Sequence, residues 1–350
     1  MKIRLCGQSL SELEAWMKTL GEPGYRGKQI YHWIYRRDAS SIEEMTDLPG
    51  SLRQLLQQKA WVGIPRVIRR QLANDDLTVK LLLEMEDGQR VEAVLMPYSL
   101  ERSRDRLTFC LSSQVGCPLG CAFCATGQAG FVRNLDAGEI VGQVLALRRE
   151  VSEPGEGINI VFMGMGEPLL NYSEIIKSLN LLHAPEGIKV GYRRITVSTA
   201  GVVPGIYRLA KEGLPVNLAV SLHASNNVLR NQLVPLNRRY PLEELLPACR
   251  EYFTLTRRRV TFEYILLKAV NDSIYHAEEL GRLLKGMPVL VNLIPVNPTE
   301  GGFKRPSSEQ IQLFIRTLRQ LGMEVTLREE RGGQISAACG QLRGQLEAKR

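Results

Sequence analysis

The chain holds 350 residues, 44% apolar and 23% charged, the composition of a soluble globular protein with room for a large core. No segment approaches the ~18 consecutive apolar residues of a membrane span, and the opening MKIRLCGQSLSELEAW lacks the apolar core of a signal peptide. A cytoplasmic protein is expected, with seven cysteines in a reducing compartment and a net charge of +8 carried mostly by arginine.

Ser11 opens a predicted helix over SELEAWMKTL, with Glu14 three residues on, and Gly21-Glu22-Pro23-Gly24 ends it. Amphipathic stretches RGKQIYHWIYRR and SLRQLLQQKA follow, so residues 1–65 read as a small helical unit. From Val67 the sequence alternates, and Asp87-Gly88 signals a hairpin, so 66–102 reads as a short antiparallel β extension. Within 103–350, RLTFCLSS, GINIVFMG, RRITVSTAG, PVNLAVSLHA, RRVTFEYILL and PVLVNLIPV read as about six strands separated by helical stretches. That order predicts an α/β barrel or partial barrel. A doubly wound open sheet has the same periodicity.

The first of these strands runs into VGCPLGCAFCATG. There Cys117, Cys121 and Cys124 have a C-x3-C-x2-C spacing. Three such thiolates can hold three corners of a cubane iron–sulfur cluster and leave the fourth iron open to a substrate or cofactor. The competing reading is structural zinc, which needs a closed set of four ligands. No second C-x-x-C pair exists, but Cys110 is close enough in sequence to complete a tetrahedron.

Parallel barrels carry their active-site groups at the C-terminal strand ends. Gly164, Gly166 and Glu167 end the second strand, Ser198 the third, and Ser221, Leu222 and His223 the fourth, while Asn297 follows the sixth. With the cysteine loop after the first strand, all are expected at one mouth. Taken singly, GMGE reads equally as a tight turn and His223 as a framework histidine. Arginine clusters stand at Arg36-Arg37, Arg66 with Arg69-Arg70, Arg102-Ser103-Arg104, Arg193-Arg194, Arg238-Arg239 and Arg257-Arg258-Arg259. Each alone reads as solvated surface. Together, with Tyr25, Tyr31, Trp33 and Tyr35 near the first, they fit a polyanionic partner or an acidic protein surface.

C-x3-C-x2-C after the first strand, followed by Gly-x-Gly-Glu-Pro, resembles the radical S-adenosylmethionine enzymes. SSQVGCPLGCAFCATGQAGFVRNL, FMGMGEPLLN, RITVSTAGVVP, AVSLHA, VNLIPVNP and ISAACGQL are similar to segments of the RlmN/Cfr family of RNA adenosine methyltransferases, and the resemblance extends from GEPGYRGKQIYHWIY to Gly344. It implies a partial (β/α)6 TIM-type barrel over 103–350 and an RNA-binding role for residues 1–65. It also implies one [4Fe-4S] cluster with an open iron on Cys117, Cys121 and Cys124. S-adenosylmethionine, two molecules per turnover, would be contacted by Gly166, Glu167, Ser198, Ser221, Leu222, His223 and Asn297.

The same resemblance makes Cys339 the methyl-carrying cysteine, Cys110 its resolving partner and Glu92 the proton acceptor, whereas Cys6 and Cys249 match no functional position. The implied reaction is methylation of adenosine C-2 in 23S rRNA and tRNA by a monomer served by a flavodoxin-type electron donor. C-2 is too electron-poor to attack a methyl sulfonium, but a cysteine thiolate is not. In the mechanism the resemblance implies, Cys339 takes a methyl group, a radical abstracts hydrogen from it, and the resulting carbon adds to the base. Glu92 removes the ring proton and Cys110 attacks Cys339, forming a transient disulfide and releasing the product. GEPLL and VGC favour C-2 over the C-8 of Cfr-type relatives. A noncatalytic, zinc-containing RNA-binding protein is the alternative from another class. The glycine-flanked RGGQISAACGQLRG is expected to be mobile; Cys110 reads either as a buried strand thiol or, with Arg104, Arg106, Arg331 and Arg343 nearby in sequence, as a thiol in an electropositive setting that favours thiolate.

Overall fold

The computed structural model describes residues 2–100, 103–151, 157–297, 302–328 and 331–344. Arg102 lies outside them, as do the side chains of Arg104 and Arg106. Among the described residues, no helix is long and apolar enough to cross a membrane.

The N-terminal segment forms β1 (Ile3–Arg4), α1 (Leu10–Thr19), α2 (Tyr25–Tyr35), α3 (Gly50–Lys59) and β2 (Ala60–Trp61), with β2 parallel to β1. The cap of α1 is Ser9 rather than the predicted Ser11. Ser9 Oγ accepts the Glu12 N–H at 3.2 Å while the Glu12 carboxylate accepts the Ser9 N–H at 2.6 Å. SLSE offers the same capping-box spacing as SELE two residues earlier, and the earlier box satisfies both free amides. Helices α1 and α2 touch at Gly27, where a Cβ would lie 2.5 Å from the Glu14 nitrogen.

Next comes an antiparallel ladder of β3 (Arg66–Leu72), β4 (Val79–Glu84), β5 (Arg90–Leu100) and β6 (Ser103–Cys110). The hairpin between β4 and β5 turns at Asp87-Gly88 as the sequence predicts, with Gly88 at φ +79°. After β6 the chain forms β7 (Gln114–Gly116), the single-turn α4 (Ala125–Gln128) and β8 (Phe131–Asn134), then α5 (Ala137–Arg148). Strand–helix units follow: β9 (Ile158–Phe162), α6 (Tyr172–His183), β10 (Ile195–Thr199), α7 (Val203–Lys211), β11 (Asn217–Ser221), α8 (Asn227–Leu233), α9 (Leu242–Thr256), β12 (Val260–Leu266), α10 (Ile274–Leu284), β13 (Val289–Pro295), α11 (Ser308–Gln320) and β14 (Glu324–Leu327).

Strands β6 and β9 through β14 run parallel, and β6 joins them to the ladder in one ten-stranded sheet with β14 and β3 at its edges. The sheet does not close, so the core is a partial barrel. The six strands expected from the sequence are present. The seventh, β14, escaped notice because EVTL is four residues long and buries only Val325.

Successive side chains of a strand point to opposite faces. Val197, Leu218, Val220, Phe262, Tyr264, Val291 and Leu293 are fully buried on one face. Thr196, Ser198, Asn217, Ala219, Ser221, Thr261, Glu263 and Asn292 have the other parity and line the inside of the barrel. The N-terminal helices share the same apolar core. Gly7, at φ +97°, lies against the start of α5, where a Cβ would come within 2.6 Å of the Gly138 backbone.

Ser9→Ala is expected to lower stability by about 1 kcal/mol in urea unfolding, and Ser11→Ala by less than ~0.5 kcal/mol. Equal losses would contradict the assignment of the cap.

Candidate active site

The loop after β6 carries the three cysteines and stacks backbone on backbone against the loop after β9. Gly164 donates to the Leu111 carbonyl at 3.0 Å and Ser113 to the Met165 carbonyl at 2.7 Å. A Cβ on Gly164 would stand 2.7 Å from the Leu111 carbonyl carbon, and one on Gly166, at φ +105°, 2.6 Å from the Gln114 side chain. The GMGE glycines are therefore required by this approach. Within the loop, Cys117 N–H donates to the Gly130 carbonyl at 2.8 Å and Cys124 N–H to the Cys121 carbonyl at 3.1 Å.

Cys117, Cys121 and Cys124 line one cleft together with Gly166, Glu167, Ser198, Ser221, His223 and Cys339. Cys110 is not part of that lining. Among the described residues, no three His, Cys, Asp or Glu side chains converge closely enough for a single ion. A zinc ion with Zn–S bonds of about 2.3 Å would draw its thiolates to within about 4 Å of one another. The three thiols share this cleft, and Cys110, the fourth zinc ligand considered from the sequence, lies outside its lining. Burial pushes the Cys117 thiol up to about 12 and Cys121 higher still, so coordination is what would make them thiolates.

Around the cleft the residues expected from the sequence divide. The Glu167 carboxylate accepts the Ala200 N–H at 2.7 Å and the Leu169 N–H at 3.1 Å, tying the β9 and β10 loops together, while burial pushes its pKa up to about 7. His223, at φ +61°, accepts the Ile265 N–H on Nδ1 at 3.1 Å. Burial, with Arg230 nearby, holds it down to about 3, so the ring is neutral at neutral pH. The Leu222 side chain is buried and its carbonyl, rather than its side chain, serves the site, accepting from Arg230 Nε at 3.1 Å. Asn297 belongs with Cys339, donating to its carbonyl at 3.3 Å, and lines a second cavity instead of the cleft.

That second cavity, of about 30 Å³, brings Cys110 and Cys339 together beside Met96, Tyr98, Met163 and Arg328. Both cysteines are free thiols. Burial, then the neighbouring Cys339, pushes Cys110 up to about 12, with Arg328 opposing. Arg328 is held charged chiefly by Cys339. The Cys339 loop is docked rather than loose: Gly340 accepts the Ala125 N–H at 2.8 Å and Leu342 accepts Thr126 Oγ1 at 2.6 Å. Glu92 lines neither cavity. Its carboxylate pairs with buried Lys80 at 3.0 Å and accepts the Arg343 and Gly344 amides at 2.6 and 3.1 Å, and Lys80 also donates to the Ser336 carbonyl at 3.2 Å.

The sequence reading missed Arg328, Lys80, Glu263 and Arg230. Arg230 is fully buried and holds the carbonyls of Ala200, Ser221 and Leu222, the strand ends that frame the cleft. Glu263 was visible as the lone acidic residue inside RRVTFEYILL, whereas Lys80 and Arg328 look like ordinary surface residues flanking apolar runs.

A partial barrel with three cysteines after its first parallel strand and a glycine-glutamate strand end beside them defines a radical S-adenosylmethionine enzyme. Residues 111–280 match the radical SAM superfamily model, and residues 3–62 match the ribosomal RNA large subunit methyltransferase N-terminal domain. The chain is 50% identical to a probable dual-specificity RNA methyltransferase RlmN of Syntrophomonas wolfei, covering 98% of this chain and 97% of that protein. It is 52% identical to the protein of the same name from Moorella thermoacetica, with the same coverage of both. A solved radical SAM methyltransferase from Sphaerobacter thermophilus superposes with a TM-score of 0.94 at 50% identity, covering 98% of this chain and 100% of that one. The chain belongs to the RlmN family of radical S-adenosylmethionine RNA methyltransferases.

Anaerobic reconstitution with iron and sulfide is expected to give a brown protein with about four irons per chain. Alanine at Cys117, Cys121 or Cys124 should abolish the colour, and Cys110→Ala should keep it. A colourless protein that binds one zinc through Cys110 would restore the zinc reading.

Proposed function

We propose that the chain methylates C-2 of an adenosine in 23S rRNA and in tRNA, with Cys339 as methyl carrier and Cys110 as resolving thiol. The observation that carries this reading is the shared cavity of two thiols separated by most of the chain, placed at the edge of the cleft lined by the three loop cysteines. Relatives named as dual-specificity RNA methyltransferases support two classes of RNA substrate. The cluster, held by Cys117, Cys121 and Cys124, and S-adenosylmethionine supply the methyl group and the carbon radical. A flavodoxin-type protein is the proposed electron donor, and the chain acts as a monomer.

Cys339 Sγ accepts the methyl group by displacement and presents it to the base. Gly166, Glu167, Ser198, Ser221 and His223 orient the cofactor, with Leu222 contributing backbone and Asn297 holding the carrier loop. Once the former methyl carbon is joined to C-2, Glu92 takes the ring proton. Its carboxylate becomes available when the amides of Arg343 and Gly344 leave it, which links proton transfer to movement of the carrier loop. After the adduct gives up its unpaired electron, which the cluster would accept, the Cys110 thiolate attacks Cys339 Sγ to form the disulfide; the sulfur–carbon bond breaks with its electron pair going to the carbon, which takes a proton to become the methyl group of the departing base. Reduction restores both thiols.

Nucleoside analysis of treated 23S rRNA and tRNA is expected to show 2-methyladenosine, and 8-methyladenosine alone would contradict the reading. Cys110→Ala should accumulate a covalent protein–RNA adduct visible as a slow band on denaturing gels. Free product at the wild-type rate from that variant would exclude Cys110 as the resolving thiol.

A further inference from the structure

Below the cleft, the barrel interior is not filled. A lumen of about 790 Å³ is lined by Thr108, Asn159, Thr196, Asn217, Ala219, Thr261 and Asn292. Packed barrels fill these layers with bulky branched aliphatic residues, and small polar side chains leave space instead, on the scale of a ligand cleft. At its mouth stand Arg193 and Arg194, just before β10, and Arg258 and Arg259, just before β12. The two strands are separated by β11 alone, so the pairs sit two strand spacings apart, about 10 Å. Two arginine clusters far apart in sequence thus share one rim. Arg258 is bonded to Asn217 of the lumen and leaves its buried Nε without a hydrogen-bond partner among the described residues.

The lumen and the thiol cavity are adjacent and share a wall. Met96, Tyr98, Met163 and Arg328 line both, and Glu263 and Arg328 also border the cluster cleft. A group entering past the arginines therefore approaches Cys110 and Cys339 from the side opposite the cluster loop, and the shared side chains and the docked Cys339 loop must move before it meets the thiols. Tyr98 offers an aromatic surface at the junction, with Arg331 4.2 Å from its ring centre.

We infer that the arginine-rimmed lumen is the entry for the substrate RNA strand: the unstacked adenosine passes inward to the thiol pair while phosphates of the flanking nucleotides rest on the rim. This rests on the RNA-methylating reading above. Single-stranded RNA suits the features present, since recognition of a flipped base combines a basic track for the backbone with an aromatic or cationic plane for the base. Arginine presents a fork that matches phosphate.

The test measures binding of in vitro transcribed tRNA as a function of salt. Arg193→Gln with Arg194→Gln removes two exposed rim charges, and Arg238→Gln with Arg239→Gln removes an equally exposed adjacent pair that lines none of the three cavities. The rim variant is expected to weaken binding roughly fivefold and to reduce the slope of log affinity against log salt by about 1.4, two contacts at about 0.7 each. Arg193→Lys with Arg194→Lys should restore the slope. The charge-matched variant should bind as the wild type does. Equal weakening by both glutamine variants, or an unchanged slope for the rim variant, would overturn the assignment. A wild-type enzyme that makes 2-methyladenosine while its rim variant binds normally overturns only the entry route. A product methylated at another carbon, with the rim effect intact, overturns only the earlier choice of C-2.

Discussion

The period-two alternation of the parallel strands is the constraint on which the other features depend. Each strand has one face turned to the helices and one turned to the barrel interior. Outward positions such as Val197, Val220, Phe262 and Val291 are fully buried aliphatic or aromatic residues, and they supply the apolar burial that stabilises the fold. This frees the inward positions from packing duty. Thr196 and Ser198 on β10, Asn217 and Ser221 on β11, and Thr261 and Glu263 on β12 can therefore be polar without dismantling the core.

Placing functional groups inside requires buried charge, and the chain meets this in two ways. Lys80 and Glu92 neutralise each other, and each also bonds the backbone of the Cys339 loop. Losing one partner would leave an uncompensated charge at a cost of roughly 3–5 kcal/mol. Among the described residues, Arg230 has no carboxylate as a hydrogen-bond partner. Its guanidinium is spread over three strand-end carbonyls and Asn237, and burial brings its pKa down to about 10. It thereby fixes the backbone around the cleft instead of a salt bridge.

Much of this was legible in the sequence because it is written locally. The cysteine spacing, the glycines of GMGE, the Asp87-Gly88 turn and six of the seven parallel strands are short-range patterns with short-range causes. The capping serine was misplaced by two residues because two serine–glutamate boxes overlap, and only the hydrogen bonds distinguish them. Arg328, Lys80 and the arginine rim were hidden for a different reason. Their roles depend on which strands become neighbours, and a single sequence gives the inward parity of a strand without giving the partner across the lumen. The grouping of Asn297 with Cys339, and of Glu92 with residues 343–344, is likewise a product of where the C-terminal loop docks.

The docked loop also limits what the two thiols that share a cavity can do. At about 30 Å³ the cavity holds a water molecule or two and excludes an adenine. The same enclosure makes burial outweigh the attraction of Arg328, so Cys110 stays protonated at neutral pH and is a poor nucleophile. In the proposed reaction, admission of substrate and activation of Cys110 are therefore opposed by one closure and favoured by one opening. Arg328 extends β14 through its backbone bond to Leu293 and does not belong to residues 331–344. When that loop is displaced, the burial that suppresses the Cys110 thiolate is relieved while the cation that favours it remains on the sheet. In the proposed reaction, this confines the thiolate chemistry of Cys110 to the interval in which the carrier loop has moved for RNA.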